Sequence, residues 1–578
     1  LSALSNNNSY SNGSIRTSGN SAHGVYLSSS LNNNIAFTNI TTTAVGIYLD
    51  AFSNSTTATG GTINIQGGAG GNMQSKWRMC NHYNQTPDGW NGFATVATNC
   101  VIDKFGRIGA RKGWSKANSS LNTDLSTYDI KAIGELITVD GTSYIICAGH
   151  NKLYKLVGST LTTLTYGGGG TAPTITDDNW QMASLNGGIY LFQSGHDPLE
   201  FNPTTSTTAY RRISEMTGYA GTVPQANAVI SAYGRLWCAN TSGDKVTVAW
   251  CDLLSPAKWN SGTAGTLVTS SVWPKGGDSI VALGAHNGFL FIFGKNNILE
   301  YQGATAPATM SLQDVVTGIG CIARDTVANT GTDIIFLSST GVRSVLRTIQ
   351  EKTAPLRDLS KNVRNDLMLA VSSETLANIR SVYSPRDAFY VMTLPTTKSV
   401  YCFDLKAPLQ DGSARVTTWD SIEPKSFCCK QDGTLLIGKE GYVGTYGTYQ
   451  DNGTSYRLQY FTNHTDLGTP SVTSILKRLA TVVIGGSNQY VTFKWGYDFT
   501  GNYQSANVPI PAQSVAEYGV DEYNTTGVEY SGGVALQTLR VYPNGSGKVI
   551  QTGYEADING SELSIQKIEI YAKNGKYT

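Results

Sequence analysis

The side chains able to do chemistry in this 578-residue chain are few and far apart. Its six histidines stand at 23, 82, 150, 196, 286 and 464. None falls in the H-E-x-x-H spacing that sets two imidazoles and a general base on one helix face. Nine cysteines are scattered at 80, 100, 147, 238, 251, 321, 402, 428 and 429 with no C-x-x-C pair. That pattern supports neither a zinc cluster nor a disulfide framework. Cys80 and His82 alone approach metal-ligand spacing. Most thiols sit in apolar runs such as Ile145-Ile146-Cys147 and Leu236-Trp237-Cys238, where cysteine packs as a small hydrophobe. His150 and His286 fall at strand–turn junctions and His196-Asp197-Pro198 has the composition of a turn, so hydrogen-bonded turn roles are expected for them.

Other catalytic signals are missing as well. No G-x-S-x-G nucleophile elbow occurs. The glycine runs Gly67 to Gly71 and Gly167 to Gly170 lack the following G-K-[ST] of a phosphate loop. Gly545-Ser546-Gly547-Lys548 lacks the glycine required upstream. These runs read as flexible connections. Gln431-Asp432-Gly433-Thr434-Leu435 is a single, tryptophan-free approach to the repeated S-x-D-x-G-x-T-W turn of sialidase-type proteins. A glycosidase carboxylate pair has no fixed sequence spacing and stays open at this point. No catalytic, cofactor-binding or metal-ligating residue is assigned; the expectation is a protein that is not an enzyme and carries no cofactor.

The elements that would hold any site are strands. Apolar strand, tight turn and apolar strand recur in SYIICAGHNKLYKLVG (143–158), SLNGGIYLFQSGHDPLEFN (184–202), AVISAYGRLWCAN (228–240) and SIVALGAHNGFLFIFGKNNILEYQG (279–303). They recur again in TDIIFLSSTGVRSVL (332–346), DAFYVMTLPTTKSVYCFDL (387–405) and GTLLIGKEGYVGTYG (433–447). Such spacing predicts a β-propeller of about six blades over 73–450. NCVIDKFGRIGARKGW (99–114) is placed to pair with the last blade and close the ring, which removes open sheet edges. One stretch breaks the pattern. In 358–383, Val363, Leu367, Ala370 and Val371 have helical spacing, with Asp358 or Ser360 as N-cap. That helix is expected to project outward and contact something outside the propeller.

Residues 1–72 carry only Arg16 and Asp50 as charges, and GVYL (24–27) returns as GIYL (46–49) after 22 residues. Asn-rich corners separate these tetrads. The period predicts two or three rungs of a right-handed parallel β-helix, with Gly60 to Gly71 as a linker. From 451 to 578, longer alternating strands such as QYVTFKWGYDF (489–499) and LSIQKIEIYAK (563–573) predict an antiparallel two-layer sandwich. The fold class is therefore all-β.

Charged residues make up only 14%, and the net charge is +1. No bulk field draws the chain to nucleic acid or acidic membrane, although a basic channel wall could still brake DNA. No apolar run approaches the ~18 residues of a membrane helix. No secretory signal is read either, so assembly in a reducing cytoplasm and no membrane insertion are expected.

The ordered motifs NCVIDKFGRIGARKGW (99–114), GRLWCAN (234–240), AWCDLLSPAKWNSG (249–262), GIGCIARDTVANTGTDIIFLSSTGVRSV (318–345), LRDLSKNVRNDL (356–367) and IQKIEIYAKNGK (565–576) resemble those of the tail nozzle proteins of short-tailed bacteriophages. That group includes the family called tail tubular protein B, or DNA-stabilisation protein. The resemblance spans about 100 to 576; residues 1–72 depart from it. It implies a virion tail protein, six copies in a ring beneath portal and adaptor, tail fibres docked on it, and genomic DNA passing sequence-independently through the axial channel. Two competing readings are a receptor-binding tail fibre or depolymerase, suggested by the β-helical start, and a secreted propeller lectin or glycosidase.

Overall fold

The computed structural model describes residues 93–577 except 104–105, 126, 178–179, 351–357, 407, 410, 466–471, 487–488 and 511–535; upstream of 93 it describes the backbone of ten short strands. The chain divides into two compact units, Leu1–Lys76 and Trp77–Thr578.

In the first unit nine short strands form three parallel sheets of three. Val25–Leu27 pairs with Ile47–Leu49 so that Tyr26 stands opposite Tyr48, in the register set by the repeated tetrads. Asn34–Ala36 pairs with Thr57–Thr59, and Asn39–Thr42 with Thr62–Ile65. Parallel pairing of strands about 22 residues apart requires the chain to complete one turn of a coil per repeat, which is a parallel β-helix of three rungs. Thr62–Ile65 belongs to the third rung, so the linker expected from Gly60 does not begin there.

The second unit contains a β-propeller with seven blades, one for each hairpin repeat, against the expected six or so. The inner strands are Ile130–Ile137, Gln181–Leu185, Ala226–Ala232, Ile280–His286, Ala328–Asn329, Arg380–Ser384 and Ser426–Cys429. Each lies beside the next, and the last lies beside the first, so the ring is closed. Seven apolar clusters fill the seven seams between neighbouring blades. This explains the sequence pattern of the second strands. Gly188–Phe192 and Phe389–Leu394 are buried along their whole length because blades cover both of their faces. Aromatic contacts cross the seams: Phe293 of blade 4 meets Phe336 of blade 5 at 5.1 Å. Burying one such ring contributes about 2–3 kcal/mol.

Ring closure uses the end of the segment expected for it. Trp114–Lys116 pairs antiparallel with Val443–Tyr446 and supplies the outermost strand of blade 7. The preceding hairpin, Cys100–Ile102 with Ile108–Ala110, pairs instead with Leu563–Tyr577. Residues 94–110 therefore belong to the C-terminal sandwich, a correction to the expected boundary of the propeller at 73. The physical reason is burial: Cys100, Ile102 and Ile108 join Tyr460, Val483, Phe493 and Ile565 in one core between the two sheets. Val96–Thr98 links the bodies further, pairing with Tyr456–Phe461 of the sandwich and, through Thr98, with Arg415–Trp419 of blade 6.

The helix Arg364–Ser372 forms within the expected stretch but does not project as a free docking element. Val363, Leu367 and Val371, spaced by four, are buried in the seam between blades 5 and 6 beside Leu337, Tyr390 and Met392. Blade 5 has only three strands, and the Leu359 N–H donates to the Val342 carbonyl at its outer edge, so this segment covers what a fourth strand covers elsewhere. Neither expected cap serves the helix. Ser360 Oγ accepts from the Val342 N–H at 3.0 Å, and Asp358 pairs with Arg364. No helix among the described residues is long and apolar enough to cross a membrane.

Candidate functional site at the propeller hub

Because every blade repeats the same strand order, the seven inner strands run in one direction and their first residues gather at one mouth of the central channel. Lys131, Gln181, Asn227, Val281, Arg380 and Lys425 stand at or next to these starts, and the short turn Arg324–Thr326 leads into blade 5. The channel behind them is a cavity of about 350 Å³, walled by Ile133, Met182, Val382, Phe427, Cys428 and Cys429 among others.

Arg324 bridges part of this mouth. It enters from the blade 5 side, yet its guanidinium donates to the Trp180 carbonyl at 2.7 Å and to the Asn227 carbonyl and side-chain oxygen at 2.6 and 2.7 Å. Those acceptors lie at the starts of blades 2 and 3, across the ring. Asp325 receives two further bonds from Arg324, at 3.0 and 2.7 Å, and pairs with Arg380 at 2.8 Å. Burial pushes the Asp325 carboxyl up, but the guanidiniums of Arg324 and Arg380 outweigh it and hold it below the usual carboxylate range. Burial lowers Arg380, and Asp325 opposes that; a guanidinium stays charged regardless. The Ser381 hydroxyl donates to the Asp325 carbonyl at 3.1 Å, tying the turn to blade 6. The arrangement can position charge and narrow the mouth.

The residues weighed for chemistry do not converge on this mouth. His150, in a left-handed turn conformation, bonds the Asp124 carbonyl at 3.2 Å and stacks on Tyr128 at 3.6 Å. His286 ends its strand at a turn through Asn287 and Gly288, both at positive φ, as a two-residue hairpin requires. His196 donates its N–H to the Gln193 carbonyl at 3.1 Å. His464 stacks on Phe499 at 4.3 Å, and burial lowers its pKa. His23, Cys80, His82 and Gly67 to Gly71 lie outside the described residues. Asp432 closes its own turn through Lys430 and the Thr434 N–H, which hold its pKa at about 2. The buried thiols of the propeller line its seams: Cys238 and Cys251 pack in the one between blades 2 and 3. Among the described residues no group of three or more His, Cys, Asp or Glu is placed to hold a metal.

Sequence reasoning assigned no site residue and so missed Arg324, Asp325 and Arg380. A usable signal was their position: charged residues recur within a few residues of the inner-strand starts, as Asp129, Lys131, Arg324, Asp325, Arg380 and Lys425.

No protein-family model matches this chain, and no curated protein matches it. Solved structures give distant likenesses. The WD40 domain of Neurospora crassa Pan2 is 10% identical with a TM-score of 0.35, covering 58% of this chain and 96% of that one. The extracellular domain of a one component system from B. thetaiotaomicron is 10% identical with a TM-score of 0.38, covering 75% of this chain and 60% of that one. An auxiliary nutrient binding protein from Bacteroides thetaiotaomicron is 9% identical with a TM-score of 0.32, covering 62% and 85%. The closed ring of seven sheets, not these likenesses, establishes the propeller.

Proposed function

We propose that this chain is a structural virion protein, one subunit of the ring-shaped tail nozzle of a short-tailed phage, assembled in the host cytoplasm and then carried in the virion tail. Its role is mechanical, with no bond broken. Six copies surround an axial channel that retains packaged DNA and passes it on ejection, while outer loops dock adaptor, portal and fibres. The observation that supports this reading most is the narrow, bridged hub in a chain whose motifs resemble that family. A major groove alone is about 12 Å wide, so duplex DNA cannot use a cavity of about 350 Å³ whose mouth Arg324 partly bridges. A conduit built from this protein must lie between copies. The ring closure and the shared sheet with the sandwich make the subunit a rigid wall piece. The test is assembly: particles made without the protein should package DNA and then leak it, and particles that stay full and infective overturn the reading.

The three-rung β-helix favours a second reading, a receptor-binding fibre or depolymerase. Fibres of that kind are expected as trimers, so the mass of the purified oligomer separates three copies from six. A monomer that binds or cleaves sugars would instead support the lectin or glycosidase.

A further inference from the structure

The hub mouth has a second feature beside the Arg324 bridge. A cavity of about 200 Å³ opens beside blades 6, 7 and 1, lined by Asp129, Lys131, Asn378, Arg380, Thr396 and Lys425 among others. The ammonium groups of Lys131 and Lys425 straddle one atom: each stands 3.9 Å from Asp129 Oδ2. That is beyond hydrogen-bond distance. Among the described residues neither ammonium has a hydrogen-bond acceptor, although their side chains are only 22% and 24% exposed. Arg380 is held in place by the Ala377 and Ile379 carbonyls and by Asp325. Asp325 is in turn matched by Arg324. Two ammonium groups and one guanidinium therefore line the cavity; Asp129 is the one carboxylate among its described lining residues, and Asp177 also acts on Lys131 from nearby.

We propose that this cavity binds a small oxyanion of the phosphate class. Two partly desolvated ammonium groups without a hydrogen-bond acceptor among the described residues are point-charge donors suited to tetrahedral oxygens. Asn378 and Thr396 bring neutral donors to the same wall. The volume is several times the share of about 30 Å³ that one water takes in the liquid, so an ion enters with part of its hydration. A metal cation is disfavoured by the same three positive charges. Asp129 gives the site a directional signature, because its negative charge competes with the anion for the two lysines and repels it.

The experiment titrates the full chain with inorganic phosphate, and separately with sulfate, at ionic strength held constant with chloride, reading heat of binding and melting temperature. A saturable signal is expected, with sulfate competing. Lys425→Met should weaken it about tenfold or more, and Asp129→Asn should tighten it about fivefold or more. If Lys425→Met melts well below the wild type in chloride alone, Lys131→Met replaces it and Lys425→Arg should restore binding. The proposal is overturned by a response that chloride reproduces, by one that survives both lysine substitutions, or by weaker binding in Asp129→Asn. None of these outcomes bears on the nozzle reading, which rests on assembly.

Discussion

Arg111 and Asp451, 340 residues apart in sequence, meet as a two-pronged ion pair at 2.9 and 2.7 Å where the chain leaves the sandwich and enters the propeller. The Arg111 side chain is fully buried and that of Asp451 nearly so. The guanidinium also donates to Asn99 Oδ1 at 2.9 Å, to the Lys112 and Asp420 carbonyls at 3.0 Å, and to Ser421 Oγ at 3.0 Å, and it lies 4.0 Å over the Tyr456 ring. Every donor is thereby satisfied in one joint that gathers the closing strand, blade 6, blade 7 and the sandwich. A buried pair is costly to desolvate and is weak evidence for stability by itself. Its geometry fixes how the two bodies meet.

Removing one member of this joint should be severe. Arg111→Met leaves Asp451 buried without its partner and is expected to lower stability by about 3–5 kcal/mol, while the double variant Arg111→Met with Asp451→Leu recovers part of that loss. Urea unfolding of the single and double variants checks both signs. A single variant as stable as the wild type would remove the joint from the account.

The helix at 364–372 supplies a contrast within one element. Leu367 is fully buried in the seam between blades 5 and 6, whereas Leu369, two residues on, is 73% exposed. Leu367→Ala should cost about 2–5 kcal/mol, and Leu369→Ala should stay within about 0.5 kcal/mol. Melting curves distinguish them. The reverse order would return the helix to the role of an external docking element.

Acid should loosen the hub. Asp325 has a folded pKa below its unfolded one, because Arg324 and Arg380 outweigh the burial that would raise it. The unfolded chain thus takes up the proton first. The stability this contributes is complete above the unfolded carboxylate value near ~3.9 and is lost as pH falls through the lower, folded value. Asp325→Asn is therefore expected to be less stable near neutrality, yet to lose less stability between pH ~5 and ~2 than the wild type. Stability measured at both ends of that range decides it.

Trp114 closes the ring and packs in the seam between blades 6 and 7 with Trp419, Tyr446 and Ile437. Trp114→Ala should cost about 3–5 kcal/mol. Hydrogen exchange should then speed up first in 443–446, whose outer partner it is. Uniform exchange across all blades would contradict a closing strand.

The N-terminal coil is a separate compact unit. If the coil serves as a fibre joint or a glycan-binding surface, removing residues 1–72 should impair fibre attachment or host adsorption while the melting of the propeller stays unchanged. Unchanged assembly and adsorption would deprive the coil of that role.

Much of this architecture was legible because it is local. A hairpin such as Phe289 to Gln302 carries its turns and its apolar runs in one stretch, and each of the seven repeats became one blade. Blade 5 made the count ambiguous, because its inner strand shrinks to Ala328–Asn329 and helical segments cover its outer edge. The tetrads at 24–27 and 46–49 announced the β-helix for the same local reason. What the pattern could not show was pairing over long separations. Nothing near Arg111 points to Asp451, and nothing near Arg324 points to Trp180, 144 residues upstream. The helix stripe Val363, Leu367, Val371 was visible, but a stripe does not say whether its partner is the same chain or another. The hub charges were readable only by aligning blade starts, since each looks ordinary in its own surroundings.

Electron microscopy of the assembled oligomer with DNA engaged tests the central claim most directly. Six copies in a ring, with DNA density on the ring's axis and Arg324 still spanning each propeller hub, is the predicted image. Three copies bundled along a shaft, or DNA threaded through a propeller hub, would contradict it.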